Sequence, residues 1–351
     1  MSHIDLKNLS LTIFGESHSP VIGGVITGFP AGFSLPEEEI QKDMNRRKPG
    51  QNNLSTQRKE EDIPKVVSGI LNGVTTGAPL CVLIENTNAH SKDYSKLKDL
   101  PRPSHADYAA FVKYSGFNDI RGGGHFSGRL TAPLVFLGSL CKQLLKEKEI
   151  FVSAHILELD GVHDKPLEQF LPALAEKPFP VIDEEAGKKM MQRIALARDA
   201  LDSVGGVIEC SVFGTPAGIG GPLFEGMEGK LSSLLYGIPA VKGVSFGSGF
   251  SFSGQRGSEA NDEFYMENGQ VKTYTNHNGG ILGGITNGMP VNVKVCMKPT
   301  PSIYREQRTV NLKTGKDDKL TIEGRHDPCI LPRAVPVIEC VTAIGMLDDL
   351  L

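Results

Sequence analysis

The sequence predicts an α+β fold of two similar β/α halves, with apolar helices buried between antiparallel sheets, and three observations predict it. Short runs rich in β-branched residues, among them VITGF, LCVLIE, GVIECSVF and VNVKVCM, lie beside glycine-bounded turns, the signature of strands. Two segments, 130–145 and 330–351, have helical length and few charges on any face, so each is expected to be enclosed on all sides. The order of segments also repeats, at a spacing of about 180 to 215 residues that is too long for a solenoid. GGVITGFPAGFSLPEEEI from Gly23 is echoed by GGVIECSVFGTPAGIGGPLFEGM from Gly205, and SGILNGVTTGAPLCVLIENTN from Ser68 by GGITNGMPVNVKVCMKPTPS from Gly283. RGGGHFSGRLTAPLVFLGSL from Arg121 has GRHDPCILPRAVPVIECVTAIGM from Gly324 at the corresponding rank.

Each half offers, in order, a glycine-bounded strand pair, a polar helix, a further apolar strand pair, a polar loop and an apolar helix. The polar helix of the first half starts after Pro36 and ends on Arg46 and Arg47. The expected organisation is one continuous domain, 1–351, whose halves at approximately 1–146 and 204–351 are related by a pseudo-two-fold axis, with a helical excursion over 147–203. In that excursion VIDEEAGKKMMQRIALARDALDS carries its apolar residues at helical spacing, which predicts an outer amphipathic helix. Residues 254–271, GQRGSEANDEFYMENGQV, are polar and predict a long surface or active-site loop.

Of 351 residues, 39% are apolar and 22% charged, a balance that supports a sizeable core and excludes a disordered chain. Lys and Arg number 37 against 41 Asp and Glu, for a formal charge of −4. That argues against nucleic acid as a partner of the whole surface and leaves room for a local basic pocket. No stretch approaches the ~18 apolar residues of a membrane span, and the opening MSHIDLKNLSLTIFGES lacks the apolar core of a leader. A soluble, cytoplasmic protein is expected. Six cysteines without a C-x-x-C pair and nine histidines without H-E-x-x-H offer no metal pattern. The cysteines are expected to be reduced core thiols.

Forty glycines amount to about 11% against an average near 7%, many of them in pairs or runs at 122–124, 205–206, 220–221, 279–280 and 283–284. Glycine lets backbone N–H groups approach a ligand or take positive φ, so these loops either surround something anionic or flat or serve as turns between strands. Neither G-x-x-x-x-G-K-[ST] nor a helix-opening G-x-G-x-x-G occurs, which weighs against P-loop and dinucleotide-binding enzymes. His18 in GESHS and His105 in RPSHAD sit among small polar residues, and imidazole supplies a proton donor near neutral pH; an ordinary loop histidine is the competing reading of each. Arg46, Arg47, Lys48, Arg58 and Lys59 cluster in one stretch, while Arg102, Arg121, Arg129, Arg325 and Arg333 flank the polar loops. Converging guanidinium forks suit a small polyanion, whereas a solvated helix end competes for Arg46 and Arg47. Asp327, before a proline, could equally cap the helix that follows, and Lys298 could be a surface lysine.

Eleven motifs occur in order over nearly the whole chain: GESHS at Gly15, NRRKPGQ at Asn45, TQR at Thr56, SGI with TTGAPL from Ser68, RPSHAD at Arg102, RGGGHFSGR at Arg121, DSVGG at Asp202, AVKGVSFGSGF at Ala240, NGGILGGITNG at Asn278, KPTPS at Lys298 and GRHDPCILPRAVPVIE at Gly324. Together they resemble the chorismate synthases. The resemblance implies a β-α-β sandwich with internal pseudo-symmetry that assembles as a homotetramer. It implies a carbon–oxygen lyase at the last step of the shikimate pathway, on the way to the aromatic amino acids. There 5-enolpyruvylshikimate-3-phosphate loses phosphate and a ring hydrogen by anti 1,4-elimination, with reduced FMN needed but not consumed and no metal required.

By the same resemblance His18 is an acid near the departing phosphate, His105 lies near flavin N1, and Asp327 assists proton removal through flavin N5. Ser17 and Ser127 support that chemistry by hydrogen bonding. Arg47, Arg129 and Arg325 grip substrate anions. The flavin contacts are His125, Phe126, Ser127, Ala240, Gly283, Lys298, Pro299, Thr300, Pro301, Ser302 and Arg325. The chain departs from the usual pattern where GGGRSSARET reads GGGHFSGRLT, so that His125 and Phe126 replace an arginine and a serine. Asn53 stands where a basic residue is common, Pro239 where Asn precedes the alanine, and Ser104 where Gly precedes the histidine. With no nicotinamide motif for NADPH, dependence on an external flavin reductant is expected. Another FMN-dependent enzyme and a non-catalytic flavin- or anion-binding protein are the alternatives.

Overall fold

Apolar side chains on alternate residues give a strand one face for a core. The structure, a computed structural model that describes residues 2–50, 61–86, 98–322, 324 and 326–351, arranges such strands in two five-stranded antiparallel sheets. The first half runs β1 (His3–Asp5), β2 (Ser10–Phe14), β3 (Val21–Thr27), α1 (Glu37–Arg47), β4 (Pro64–Ser68), the hairpin β5 (Ile70–Leu71) and β6 (Val74–Thr75), β7 (Leu80–Glu85), α2 (Asp107–Lys113) and α3 (Thr131–Glu147). The second begins with β8 (Phe151–Leu159), β9 (Val162–His163), α4 (Glu184–Asp199), β10 (Gly206–Phe213), α5 (Met227–Tyr236), β11 (Val241–Phe246) and α6 (Gly257–Ala260). It continues through the hairpins β12 (Phe264–Glu267) with β13 (Gln270–Thr273) and β14 (Ile281–Leu282) with β15 (Ile285–Thr286), then β16 (Val291–Met297), the hairpin β17 (Gln307–Asn311) with β18 (Lys316–Leu320), and α7 (Leu331–Leu350). The sheets have the orders β1-β2-β3-β7-β4 and β9-β8-β10-β16-β11, so β2, β3, β7 and β4 correspond in place to β8, β10, β16 and β11.

The α+β class and the four quoted strands stand as expected, as β3, β7, β10 and β16. Segments 130–145 and 330–351 are α3 and α7, and the charged outer helix is α4. The interval 147–203 is not helical throughout: it opens with β8, which pairs with β10 over its length. FVSAHILEL shows no two-residue alternation because the strand is buried on both faces over most of its length, and a strand covered on both sides reads as continuous apolar sequence. Residues 254–271 are likewise more than a loop. They hold α6 and most of the β12–β13 hairpin, whose Asn268-Gly269 turn has φ of +51° and +79°, the two-residue turn that Asn-Gly favours.

Helix α3 packs on the first sheet, α7 on the second, and the two helices on each other, so one apolar core runs through both halves. The helices approach closely because Gly138 faces Cys340; a Cβ at Gly138 would lie 2.5 Å from that of Cys340. Helix α7 is buried on all faces from Leu331 to Asp348, as a helix without a polar stripe must be. A charged cluster is buried where α1 meets α3 and α7. Arg46 forks onto Glu339 at 2.6 and 2.9 Å and reaches Asp43 at 3.0 Å, while Lys142 lies 3.1 Å from Glu339 and 2.6 Å from Asp43. Burial opposes ionisation of Glu339, but Arg46 and Lys142 outweigh it and hold the carboxyl down to about 2. Arg46 is therefore not a solvated helix end. At the far end of α7, Asp348 accepts from the backbone N–H groups of Asn8 at 2.7 Å and Leu9 at 2.8 Å. Among the described residues no helix is long and apolar enough to cross a membrane. Of the six free cysteines, four are buried, Cys81 is half-buried and Cys296 is exposed, so the core-thiol expectation does not extend to Cys296.

Candidate active site

A cleft of about 660 Å³ opens where polar loops of both halves meet. The first half contributes Arg47, His105, Gly122, His125, Phe126, Ser127 and Arg129; the second contributes Ala240, Lys242, Lys298, Thr300, Pro301, Ser302, Asp327 and Arg333. Ile238, Val241, Met297, Ile330, Ala334 and Val337 supply an apolar wall.

The run Gly122-Gly123-Gly124 passes between two histidines, with φ of +61°, +95° and +54°. A Cβ on Gly122 would lie 2.4 Å from Ser17 Oγ and 2.5 Å from His18 Cε1; one on Gly123 would lie 3.2 Å from His105 Nε2. Glycine alone meets both demands, a left-handed backbone and no side chain in the gap. Ser17 and His18 form the layer behind Gly122, at 1% and 8% exposure, and do not line the cleft themselves. Ser17 N–H donates to the Gly124 carbonyl at 3.0 Å. Its hydroxyl, buried against Gly122, has no hydrogen-bond partner among the described residues.

His105 lies on the turn that leads into α2. Its Nδ1 donates to Asp107 Oδ1 at 2.6 Å, and Arg102 donates to the same carboxylate from Nε at 2.7 Å, Nη2 at 2.8 Å and its backbone N–H at 3.0 Å. Burial opposes the charge on Asp107, yet Arg102 and His105 hold its carboxyl far below the usual range. The adjoining Ser104 has φ of +60°, a left-handed backbone that glycine takes at least cost. Asp107 had one visible signal in the sequence, the spacing His-Ala-Asp within RPSHAD, which alone does not disclose its partners.

Arg47 and Arg129 share one buried carboxylate. Arg47 Nη1 lies 3.5 Å from Asp62, and Arg129 makes a close ion pair with it and donates from Nε to Asn86 at 2.9 Å. Burial pushes the Asp62 carboxyl up, but the two guanidinium groups win and keep it below its ordinary value. Both guanidinium groups line the cleft. Asp62 also escaped sequence analysis, because nothing in EEDIP marks its partners. Ser127 Oγ accepts from the Arg129 N–H at 3.2 Å and so caps the short turn Gly128–Leu130.

Lys298 is not a plain surface lysine: its Nζ donates to the Ser104 carbonyl, and both burial and neighbouring Lys242 lower its pKa. Asp327 does not cap α7, which starts at Leu331 behind Ile330 with no side-chain cap. It pairs instead with Arg333, whose Nε donates to the Arg47 carbonyl at 3.0 Å. His125 uses Nδ1 on the Gly15 carbonyl at 2.7 Å and Nε2 on the Ser2 hydroxyl, so both ring nitrogens are engaged. Phe126 remains 38% exposed on the cleft wall. Two expected flavin contacts, Pro299 and Gly283, do not line this cleft; Gly283 sits in the β14–β15 turn. Arg325, Asn53, Arg58, Lys59 and the TQR motif lie outside the described residues. Among the described residues no group of three or more His, Cys, Asp or Glu is placed to hold a metal ion. The cleft can thus bind anions, exchange protons through His105 and Asp327, and seat a flat apolar group.

A family model described as chorismate synthase matches residues 9–351. A chorismate synthase of Pyrococcus abyssi (strain GE5 / Orsay) is 49% identical over 343 residues, which are 98% of this chain and 96% of that protein. One from Thermococcus gammatolerans is 48% identical over 346 residues, again 98% and 96%. A crystal structure of chorismate synthase superposes with a TM-score of 0.75 at 25% identity, covering 99% of this chain and 92% of the other.

Proposed function

The chain belongs to the chorismate synthase family and is an enzyme, and from that premise we propose that it converts 5-enolpyruvylshikimate-3-phosphate to chorismate and phosphate with reduced FMN held in the cleft. One observation carries the reading: Arg47, Arg129, Arg333, Lys242 and Lys298 gather with His105 and Asp327 around a single cleft in a chain of net charge −4. The substrate bears carboxylates and a phosphate, and FMN a further phosphate. The cleft fits the flavin on two counts. Its apolar wall offers a surface to a flat ring, and the mutual repulsion of Lys298 and Lys242 is relieved by an anion between them. Its volume also falls within the ~300–1,000 Å³ of small-molecule sites.

Reduced flavin, when bound, supplies reversible electron density that eases departure of an allylic phosphate. The protein binds, orients and moves protons. Arg47 and Arg129, both held at Asp62, line the cleft in fixed places, so substrate anions meet a site that need not rearrange. His18 is read as the acid for the departing phosphate, acting past the glycine loop that stands between it and the cleft, with Ser17 beside it. His105 faces the cofactor's place and steadies negative charge there. Asp327, held by Arg333, takes up a proton at its carboxylate, while Ser127 keeps Arg129 and the glycine loop in register. Lys298, Thr300, Pro301, Ser302, Ala240, His125 and Phe126 would hold the flavin.

We read the two halves as one domain that works as a homotetramer in the cytoplasm with flavin reduced by an external donor. The assembly is supported by apolar residues left outside, such as Phe250 at 88%, Met266 at 67% and Phe264 at 62% exposure. The test mixes the purified chain with dithionite-reduced FMN and the substrate under anaerobic conditions. Chorismate and phosphate should appear in equal amounts over many turnovers. Binding of both ligands without product would reduce the chain to a flavin- or anion-binding protein, and in a second mixture with NADPH in place of dithionite, NADPH consumed in step with a reduced product other than chorismate would make it a reductase.

A further inference from the structure

We propose that Asp107, clamped by Arg102, is the positioning residue of His105: it fixes the tautomer of the ring and aims Nε2 at the cleft. This rests on the reading of His105 as a working group of the proposed site. At 2.6 Å, Nδ1 and Oδ1 would repel unless a proton lay between them. Asp107 cannot supply that proton, because its carboxyl is held ionised, so Nδ1 carries it. Nε2 is then the atom that gives and takes protons; it is the ring nitrogen on the side of the glycine run, in a ring that itself lines the cleft. Arg102 Nη2 comes within 3.2 Å of Nδ1 but has no lone pair to meet there. Its task is the carboxylate, to which three of its N–H groups donate.

The clamp is rigid at both ends. Arg102 stands between Pro101 and Pro103, which restrict its backbone, and Asp107 is the first residue of α2. Arg102 and Asp107 together are neutral, so the pair orients the imidazole without adding net negative charge to a cleft that must receive anions. The clamp also predicts what asparagine would do. Oδ2 receives two N–H donors from Arg102, from Nε and the backbone, and Oδ1 only one. The amide oxygen of an asparagine therefore takes the Oδ2 place and turns its NH₂ toward His105, donating to Nδ1 and reversing the tautomer.

Nitrogen-15 NMR of the free protein, with the ring neutral, reads the two nitrogens directly. In the wild type Nδ1 should be the protonated one. In Asp107→Asn the protonated signal should move to Nε2 and turnover should fall by about 10- to 10³-fold, below the ~10⁴-fold that a wrong tautomer costs a serine protease. Substrate KM should change little, and Asp107→Glu should restore the Nδ1 proton and part of the rate. If Asp107→Asn fails to fold around an unpaired guanidinium, the double variant Arg102→Gln/Asp107→Asn removes both charges and should populate both tautomers. An Nδ1 proton undiminished in Asp107→Asn, or in the double variant with no Nε2-protonated form beside it, would overturn the proposal. His105→Ala separates the two readings: wild-type turnover there would sink the role of His105 while leaving the tautomer result to stand or fall alone.

Discussion

The hairpins β5–β6 and β14–β15, one from each half, match to the hydrogen bond. In the first, Thr75 Oγ1 donates to the Pro30 carbonyl at 2.7 Å and accepts from the Phe33 N–H at 2.9 Å; in the second, Thr286 Oγ1 donates to Pro216 at 2.7 Å and accepts from Ile219 at 2.9 Å. Both turns place two residues at positive φ, Asn72-Gly73 and Gly283-Gly284, and the β4–β7 and β11–β16 ladders each carry a bulge. The loops entering α3 and α7 share none of this likeness. One brings a glycine run pressed against His18 and His105, the other brings Asp327 and Arg333. What repeats is the hydrogen bonding that a sheet and its turns require, and the two loops that differ are the ones that build the cleft. The site is composite, and neither half could assemble it alone.

The largest expected effect sharpens a difference within the shared scaffold. Helix α1 buries a four-membered charged cluster, whereas its counterpart α5 sets Lys230 against Asp348 and Asp349 at 2.5 and 2.6 Å. Glu339→Gln leaves Arg46 and Lys142 with Asp43 alone and should lower stability to urea by about 3–5 kcal/mol. Because the Glu339 carboxyl is held at about 2 against an ordinary 4.5, its contribution is fully present above the ordinary value and is lost as pH falls through about 2. Wild type and variant should therefore converge in acid. A constant gap across that range would contradict the assignment.

Next in size is a contrast between glycines of nearly identical φ, Gly122 and Gly283, at +61° and +62°. A Cβ at Gly122 meets Ser17 and His18, and at Gly283 nothing lies within 4 Å. Gly122→Ala should cost about 10²-fold or more in turnover, as small displacements in a site do. Gly283→Ala should keep wild-type turnover and lose only the ~1–2 kcal/mol of a left-handed alanine. A comparable loss of turnover in both would return Gly283 to the site. The smallest effect tests the likeness itself: Thr75→Val and Thr286→Val should each cost about 1–3 kcal/mol, equal within roughly 0.5 kcal/mol. Unequal costs in thermal unfolding would show the hairpins to be alike in form only.

These contrasts also explain what the chain revealed before folding. β7 and β16 were readable because one face is buried and the other is not, and α3 and α7 because they lack a polar side. β8 was hidden by cover on both faces, and the Asn268-Gly269 turn by the polar residues around it. His105, Arg47, Arg129 and Asp327 were marked by their motifs and do meet at one cleft. Asp62 was not, since a carboxylate declares itself only through the cation it faces and Arg129 reaches it from a distant loop; Asp107 stood within RPSHAD, but its grip on Arg102 and His105 exists only in the fold. The glycine run was visible as composition, but its reason, the gap between His18 and His105, exists only in three dimensions.

Helix α7 fills the middle of the core and is the last of the described elements in chain order. A chain emerging from the ribosome at ~5–20 residues per second can form its hairpins early, but the inner faces of α3 and the second sheet lack their cover until α7 arrives. The nascent protein therefore presents an open apolar trough for many seconds, the kind of surface a chaperone shields. Closure comes when α7 docks between α3 and the second sheet and Asp348 fastens on the N–H groups of Asn8 and Leu9, joining this helix to the turn between β1 and β2.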